Sequence, residues 1–340
     1  MFLEEENESF LKFHDGSDIT KTLGLAWDPA SDVLLFSYLP TQSTTKPNKR
    51  SVLSTISRFY DPLGLISPVI TKAKIFLQEL WKEKLHWDES LPESLSSTWS
   101  SICLQFRSVE RTTFLKFALL PKGSIEIHGF CDASMSAYGA CVYIVSRSAD
   151  KAYAQLLCAK SRVAPLKTLS IPKLELCGAL LLANLLSELQ KMDIFSGPYF
   201  CWCDSTVVLA WLNSESSRFT TFVANRVASI QRLSAGMEWL HIPTTLNPAD
   251  IISRGALPME LNASDLWFHG PSFLLLPRSS WPPSPAQEQC LLELRKATCL
   301  VLTSPIDLTS TCKSPTLTVS DLQNGTRLLV RAALAVDHVD

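Results

Sequence analysis

The sequence predicts an α/β fold in which helices flank a mixed five-stranded sheet. Residues 124–159 contain three successive stretches with the alternation and the Ile, Val, Tyr and Cys content of strands. A helical periodicity follows over 172–191. Two more strand-like stretches, 199–204 and 237–241, are separated by helical segments. The predicted order of elements is therefore βββαβααβ.

A β-hairpin is predicted ahead of this sheet. Residues 22–27 and 32–38 alternate as strands do, and the Asp-Pro-Ala-Ser sequence at 28–31 is typical of a turn. The stretch 41–50 is rich in Thr, Ser and basic residues, which predicts a connector.

A helical connection segment is predicted between the hairpin and the sheet. Its three helices span 51–59, 67–85 and 90–106, and each begins with a serine, a residue favoured at helix starts.

The elements of the sheet region follow in order. Pro172 opens the long helix, because proline is tolerated in a first helical turn. The predicted strands are 124–132, 137–145, 153–159, 199–204 and 237–241, and the helices are 172–191, 205–212 and 222–233.

The C-terminal part changes composition after Trp267. It becomes rich in proline and serine, which predicts a linker or an extended wrap outside the core. A last helix is predicted over 320–336.

The amino-acid composition limits the classes of function that the chain can have. The net charge of −2 argues against binding of nucleic acid by bulk electrostatics, but it allows a small basic groove. Ten cysteines without CxxC spacing predict free thiols in a reducing compartment and no structural metal, which favours the cytoplasm and leaves the nucleus open. The most apolar helical run, 174–189, contains two glutamates and is shorter than the ~20 residues that span a bilayer, so no membrane contact is predicted.

Four carboxylates are the candidate functional residues. Asp132 and Asp204 each end an apolar, strand-like run, where an unpaired carboxylate is costly. If the two strands are neighbours, both side chains project from one edge of the sheet. Glu175 falls in the predicted first turn of the long helix, and Asp250 follows Pro248, where another helix can begin.

Clustered carboxylate oxygens are the ligands of hard cations such as Mg²⁺ and Mn²⁺. Two such ions can activate a water and stabilise a leaving oxygen. Without a cation, four neighbouring acids repel one another and raise one another's pKa, so a metal site explains them better than a structural role does. A phosphate-binding glycine loop is absent from the sequence, so nucleotide hydrolysis is not predicted.

Several sequence motifs, in the same order along the chain as in a known family, indicate a resemblance to that family. Residues 127–261 resemble the ribonuclease H domain of retroelement polymerases, and residues 21–282 resemble BEL/Pao-type retrotransposon polyproteins. The motifs are SRFYDPLGL at 57–65, FCDAS at 130–134, AKSRVAP at 159–165, IPKLEL at 171–176, NRV at 225–227 and NPADIISRG at 247–255.

The resemblance implies a ribonuclease H-like fold and divides the chain into four parts. Residues 1–50 correspond to the C-terminal remnant of a reverse transcriptase, with its hairpin and linker, and 51–120 to the helical connection segment. Residues 121–262 correspond to the ribonuclease H-like domain. Residues 263–340 correspond to a linker and the start of an integrase-like region.

The resemblance also implies an activity, namely metal-dependent endonucleolytic hydrolysis of the RNA strand of RNA/DNA hybrids. Asp132, Glu175, Asp204 and Asp250 would then be both catalytic residues and ligands of two Mg²⁺ or Mn²⁺ ions. The implied partners are the hybrid and a reverse transcriptase core.

Other functions of such polyproteins are not predicted. The sequence contains no Tyr-x-Asp-Asp polymerase motif and no zinc-binding pattern near 317–336, so neither DNA synthesis nor integration is expected from it. The loop histidine of cellular ribonucleases H has only His241 as a counterpart, and His241 lies on a predicted strand.

Five residues are candidates for binding nucleic acid. Lysine and arginine supply most contacts to phosphates, and an amphipathic helix can reach the minor groove and its 2′-hydroxyls. Solvated loop residues and a helix-surface salt bridge are the alternatives. The candidates are Lys160, Arg162 and Lys167 before the long helix, and Asn225 and Arg226 on a later helix.

Aromatic and cysteine residues near the acids are predicted to be core. The tryptophans lie on apolar faces, and thiolates favour softer metals than Mg²⁺. They are Trp202, Trp211, Trp239, Cys131, Cys201 and Cys203.

Two alternative functions remain. The BEL/Pao region is sometimes described as an aspartic peptidase, but Asp132-Ala133-Ser134 and Asp204-Ser205-Thr206 lack the glycine that such a site needs. The chain could also be a non-catalytic retroelement remnant that binds nucleic acid.

Overall fold

The first described strands form a small antiparallel sheet. The computed structural model describes residues 20–22, 25–28, 31–38, 46–116, 119–120, 123–149, 151–283 and 292–295. Its strands are β1 (Thr20–Thr22), β2 (Leu25–Asp28) and β3 (Val33–Leu35), of which β2 and β3 form the predicted hairpin. A later strand, β4, completes the sheet in the order β1-β2-β3-β4. The helix predicted at 320–336 lies outside the described residues.

Three helices follow, as predicted. They are α1 (Lys49–Ile56), α2 (Ser67–Lys82) and α3 (Glu93–Phe106), and β4 (Thr113–Leu115) comes after them. Helix α1 begins two residues before the predicted start. The side chain of Asn48 accepts a hydrogen bond from the Ser51 backbone N–H, and the Ser51 hydroxyl accepts one from the Asn48 N–H. This reciprocal cap fixes the helix start at Lys49.

The central sheet confirms the predicted fold class. Strands β5 (Ser124–Ala133), β6 (Ala137–Arg147) and β7 (Ala152–Val163) form an antiparallel meander. After helix α4 (Ile171–Lys191) comes β8 (Tyr199–Cys203), which pairs in parallel with β5.

The remaining elements complete a mixed sheet. They are helices α5 (Thr206–Leu212) and α6 (Thr221–Leu233), strand β9 (Glu238–His241), and helices α7 (Ala249–Arg254), α8 (Pro258–Asn262) and α9 (Asp265–His269). The strand order β7-β6-β5-β8-β9, with β8 and β9 parallel, gives the ribonuclease H-like α/β architecture. No helix in the described part of the chain is both long and apolar enough to cross a bilayer.

Each face of the central sheet is covered. Helices α4, α5 and α6 cover one face, and their apolar side chains pack against Ile127, Cys131 and Val142. The other face carries Phe130 and Tyr143 and packs against α2, α7 and the segment after α8. The prediction that Cys131, Cys201, Cys203, Trp202 and Trp211 are core residues is confirmed, whereas Trp239 is only half-buried.

The segment after α8 contributes to the core, so the prediction of a linker or extended wrap outside the core is wrong for it. It forms helix α9 and two short 3-10 helices, Ser272–Leu275 and Arg278–Ser280. The Trp267 indole N–H donates to the Leu65 carbonyl at 2.8 Å, and the Tyr143 hydroxyl donates to the Trp267 carbonyl at 2.8 Å. Phe273 and Leu274 are buried. The proline- and serine-rich composition gives no signal for these buried side chains.

The loop before α2 joins the connection helices to the sheet. The Ala159 N–H of β7 donates to the Leu63 carbonyl at 2.8 Å, and Asp61 accepts from the backbone N–H groups of Leu65 and Ile66. Gly64 has φ +75°, and a Cβ added there would lie 1.9 Å from the Ala159 carbonyl oxygen. Only glycine therefore allows this close approach.

Two glycines with positive φ give a matched test of this contact. Gly64→Ala must strain the backbone and also displace β7, so the free energy of unfolding should fall by about 3 kcal/mol or more. Gly236 has φ +82° but nothing within 4 Å of an added Cβ. Gly236→Ala should therefore cost only about 1 kcal/mol, the backbone term.

Denaturant unfolding of both variants measures this difference. Equal losses of stability in the two variants would contradict the close packing of the loop against β7.

Candidate active site

Two neighbouring strands bring two of the acids to one edge of the sheet, namely the edge formed by the C-terminal ends of β5 and β8. Cys131 of β5 is in register with Cys203 of β8, and these strands are parallel. Asp132 and Asp204 follow directly, so both lie at the same end of the sheet. This is the edge at which the sequence predicts them to meet.

Glu175 reaches this edge from helix α4. The helix begins at Ile171, so Glu175 lies in its second turn rather than in the predicted first turn. Burial raises the pKa of Glu175, and a hydrogen bond with the side chain of Ser205, the N-cap of α5, opposes this rise.

Asp250 lies in the first turn of α7, where the sequence predicts a helix start. Asn247 fixes this turn to the sheet, because its side-chain amide donates to the Cys131 carbonyl at 3.0 Å and its oxygen accepts from the Ala249 N–H at 3.1 Å. The start of α7 is therefore tied to the strand end that carries Asp132.

A hydroxyl group also ties α7 to β5. Ser253 is fully buried, and its hydroxyl donates to a carboxylate oxygen of Asp132. The Ser134 hydroxyl donates to the Ser253 carbonyl at 2.7 Å. The Asp132 carboxylate is thereby held in one orientation.

Burial and the charge of neighbouring acids raise the pKa values of Asp132, Glu175 and Asp204. Burial raises the pKa of Asp132 to about 6, the Ser253 hydroxyl opposes this, and Asp204 and Asp250 raise it further. Burial also raises the pKa of Glu175, with smaller contributions from Asp204 and Asp132. Each negative charge makes its neighbours harder to ionise.

The pKa of Asp204 is also shifted by burial and by neighbouring charge. Burial raises its pKa, the neighbouring Thr244 and Asn247 side chains lower it, and Asp250 raises it. His241 ends β9 next to this position, in register with Cys203, and burial lowers its pKa.

Arg254 is the cation at this edge. Its Nε lies 2.6 Å from Oδ1 of Asp250, one helical turn earlier. Asp250 raises the pKa of Arg254, and Asp132 and Asp204 add to the effect. One arginine thus offsets part of the charge of four acids.

The four carboxylates are suitable ligands for a divalent cation, although their side chains do not converge on a single point. In the described part of the chain, no three Asp, Glu, His or Cys side chains are placed together as a ready metal site. Asp132 and Asp250 are instead turned toward Ser253 and Arg254. Oδ1 of Asp204, however, is buried and has no hydrogen-bond partner among the described residues. A buried carboxylate oxygen without a donor is costly, and a bound cation would satisfy it.

Three of the five predicted nucleic-acid contacts line one groove. They are Lys160 and Arg162 of β7 and Arg226 of α6. Lys167 and Asn225 are exposed and do not line it. The helix-surface salt bridge considered for Arg226 is absent among the described residues, since Arg226 stacks on the Phe222 ring instead.

Sequence reasoning missed the residues that hold the acids. Asn247, Ser253 and Arg254 lie within or beside the motif that contains Asp250, and their spacing relative to it was the available signal. The partners of Asn247 and Ser253 lie on β5, more than a hundred residues away in sequence, so these contacts depend on the packing of α7.

Known proteins resemble parts of this chain. Residues 48–205 match the family model described as the Pao retrotransposon-like RNaseH-like domain. No curated protein matches the chain.

The solved structures that resemble parts of this chain have low sequence identity to it. RNase H1 from the halophilic archaeon Halobacterium salinarum is 15% identical, with a TM-score of 0.25, over 37% of this chain and 91% of that one. LC11-RNase H1 from compost, solved in complex with an RNA/DNA hybrid, is 14% identical, with a TM-score of 0.30, over 41% of this chain and 99% of that one. The protease-reverse transcriptase of prototype foamy virus is 12% identical, with a TM-score of 0.26, over 42% of this chain and 20% of that one.

The family match agrees with the motifs and with the strand order of the central sheet. It covers the connection helices and includes Asp132, Glu175 and Asp204. Residues 48–205 are therefore similar to the Pao retrotransposon-like RNaseH-like domain family, in agreement with the motifs.

Proposed function

We propose that this domain hydrolyses the RNA strand of RNA/DNA hybrids in a reaction that requires divalent cations. The observation that carries the proposal is the convergence of Asp132, Glu175, Asp204 and Asp250 at one edge of the sheet, where burial and neighbouring negative charge raise the pKa values of Asp132, Glu175 and Asp204. A fold gains no stability from such an arrangement, so a cationic ligand is its best explanation.

The four carboxylates would hold Mg²⁺ or Mn²⁺. Two such ions, when bound, supply an activated water on one side of the scissile phosphate and charge stabilisation for the leaving oxygen on the other. Asp204 offers a buried oxygen with no competing donor, and hard oxygen donors suit both metals.

Neighbouring side chains prepare the acids for this role. Ser253 orients Asp132 and favours its ionised form, since a donated hydrogen bond stabilises the carboxylate. Arg254 holds Asp250 and reduces the repulsion between the four acids. Asn247 keeps the start of α7 in register with the end of β5.

The hybrid is the proposed substrate because the family is retroelement-derived and its motifs resemble those of polymerase-linked ribonucleases H. The aspartic peptidase alternative has weaker support, because no glycine follows Asp132 or Asp204 to form the required turn. A cytoplasmic site of action also stays part of this proposal.

The first prediction concerns Asp132. In a cleavage assay with a labelled RNA/DNA hybrid and Mg²⁺, Asp132→Asn should lower the rate by at least roughly two orders of magnitude, since even residues that only support metal ligands contribute about 10–100-fold. EDTA should abolish wild-type cleavage.

Asp193→Asn is the matched control. Asp193 is exposed in the turn after α4, at the opposite end of that helix from Glu175, and its φ of +51° suits asparagine. Equal cleavage by wild type, Asp132→Asn and Asp193→Asn, or cleavage by none of them, contradicts the proposed activity.

The second prediction concerns Ser253. Burial raises the pKa of the metal-free Asp132 carboxylate to about 6, and protons compete with the divalent cation for this carboxylate, so activity should fall as the pH is lowered. Ser253→Ala removes a donor that lowers this pKa. The acid limb of the pH profile should therefore move to higher pH, and the rate at neutral pH should fall by about 10–100-fold.

A pH series of initial rates for wild type, Ser253→Ala and Ser187→Ala measures this shift. Ser187 is a buried serine far along α4 and should leave the profile unchanged. An acid limb in Ser253→Ala that coincides with that of wild type rules out the role given to Ser253.

A further inference from the structure

A short C-terminal segment, residues 292–295, lies against the residues that join α5 to α6, and we call it the strap. Leu294 of the strap forms an antiparallel bridge with Phe219. The Thr220 N–H donates to the Glu293 carbonyl at 2.8 Å. The strap is therefore paired through its backbone, as a short additional strand would be.

Further hydrogen bonds hold both ends of the strap. The Arg295 N–H donates to the Arg218 carbonyl at 2.9 Å, and the Arg295 Nε donates to the Phe219 carbonyl at 2.7 Å. The indole N–H of the buried Trp211 donates to the Leu292 carbonyl at 3.3 Å. Both ends of the strap are thus hydrogen-bonded to the region between α5 and α6.

The carboxylate of Glu293 is the charged group of the strap. Its Oε1 lies 2.8 Å from the Lys173 Nζ, and its Oε2 accepts from the Thr220 hydroxyl at 2.8 Å. Lys173 and Thr220 lower the pKa of Glu293, so the carboxylate is ionised. Thr220 is the N-cap residue of α6, and the start of a helix favours negative charge. The strap therefore places its own anion where a lysine, a hydroxyl and a helix start suit an oxyanion.

This contact lies close to the acid site. Lys173 is in the first turn of α4, two residues before Glu175. The Phe222 ring is 5.8 Å from the Lys173 Nζ and 3.6 Å from the guanidinium of Arg226. The strap thus neutralises a cation beside the helix start that carries Glu175.

Several features make the strap easy to release. Glu293 has φ +60°, a left-handed conformation that is strained for a residue other than glycine. The side chains of Lys173 and Glu293 are 25% and 27% exposed, and partly exposed ion pairs hold their partners weakly. Leu292 is also exposed. Such a contact is closed at rest but can open when a ligand competes for the same place.

We propose that the strap is an autoinhibitory contact, in which Glu293 holds Lys173 as an internal anion and must leave before the hybrid binds productively. The inference rests on the proposed function and adds a means of regulating it. A closed strap presents a carboxylate to an approaching polyanion, and like charges repel. The apparent affinity for the hybrid is then reduced by the fraction of molecules in which the strap is open.

The test is binding of a fluorescein-labelled RNA/DNA hybrid to the full chain in EDTA, measured by fluorescence polarisation. Glu293→Gln keeps the shape of the side chain but removes the ion pair with Lys173. The apparent Kd should fall by about 3–10-fold, because the contacts that favour the closed strap are lost. In a cleavage assay with Mg²⁺, KM should fall by the same factor while kcat stays unchanged.

Arg295→Pro opens the strap in a second way. It removes the backbone donor to Arg218 and the side-chain donor to Phe219, but it leaves Glu293 in place. Loss of a positive charge alone would weaken the binding of a polyanion, whereas an open strap strengthens it. Tighter binding by Arg295→Pro therefore cannot be an effect of net charge. Hydrogen exchange at the Thr220 amide should become faster in both variants, since its acceptor is the Glu293 carbonyl.

Glu238→Gln is the charge-matched control. Glu238 is exposed at the start of β9, the end of that strand away from the acids, and it is paired with Arg278. Its substitution should leave the Kd unchanged. The inference is overturned if neither strap variant binds the hybrid more tightly than the wild type, if Glu238→Gln binds as tightly as Glu293→Gln, or if exchange at Thr220 stays the same.

The same experiments separate the strap from the nuclease proposal, because binding in EDTA does not depend on bound metal. Tighter binding by both strap variants, without cleavage by any of the proteins in Mg²⁺, supports the strap and sinks the nuclease. Cleavage with one common KM for the wild type and both variants does the reverse.

Discussion

The central constraint on this structure is the cost of placing four carboxylates, one buried and three half-buried, at one edge of the central sheet. A carboxylate in such surroundings is stable only when hydrogen bonds or a cation compensate for its lost hydration. The chain supplies part of this compensation through Ser253, which donates to Asp132, and Arg254, which pairs with Asp250. The buried Oδ1 of Asp204 has no such partner among the described residues, so the compensation is incomplete without a ligand.

The connection helices support this site through the sheet and through α7. Gly64 brings the loop before α2 against β7, and the Thr71 hydroxyl of α2 donates to the Ser161 hydroxyl at 2.7 Å. The Ala256 N–H, just after α7, donates to the Pro68 carbonyl at 3.1 Å. Helix α2 therefore packs against both the edge strand and the helix that carries Asp250. This agrees with a family match that begins at residue 48 rather than at the first strand of the central sheet.

The sequence allowed the sheet and its succession of strands and helices to be predicted, because strand periodicity and the position of Asp132 after an apolar run are local signals. The edge that holds the acids was predicted only on the condition that the strands before Asp132 and Asp204 are neighbours. Contacts between distant segments gave no such signal. The Ser253 hydrogen bond to Asp132 joins residues 121 apart, and the burial of Trp267 depends on its bond to Leu65, 202 residues earlier. The cationic groove was foreseen only as separate candidates, since Lys160 and Arg226 become neighbours only when α6 packs beside α4.

The central claim is that these acids share a divalent cation, and Mn²⁺ binding tests it without any assumption about substrate. Titration of the full chain with Mn²⁺, followed by electron paramagnetic resonance of the free ion, should show saturable binding to the wild type. Asp204→Asn should lose most of this binding, because it removes charge from the oxygen that has no other partner. Absence of Mn²⁺ binding, or equal binding by wild type and Asp204→Asn, would contradict the claim.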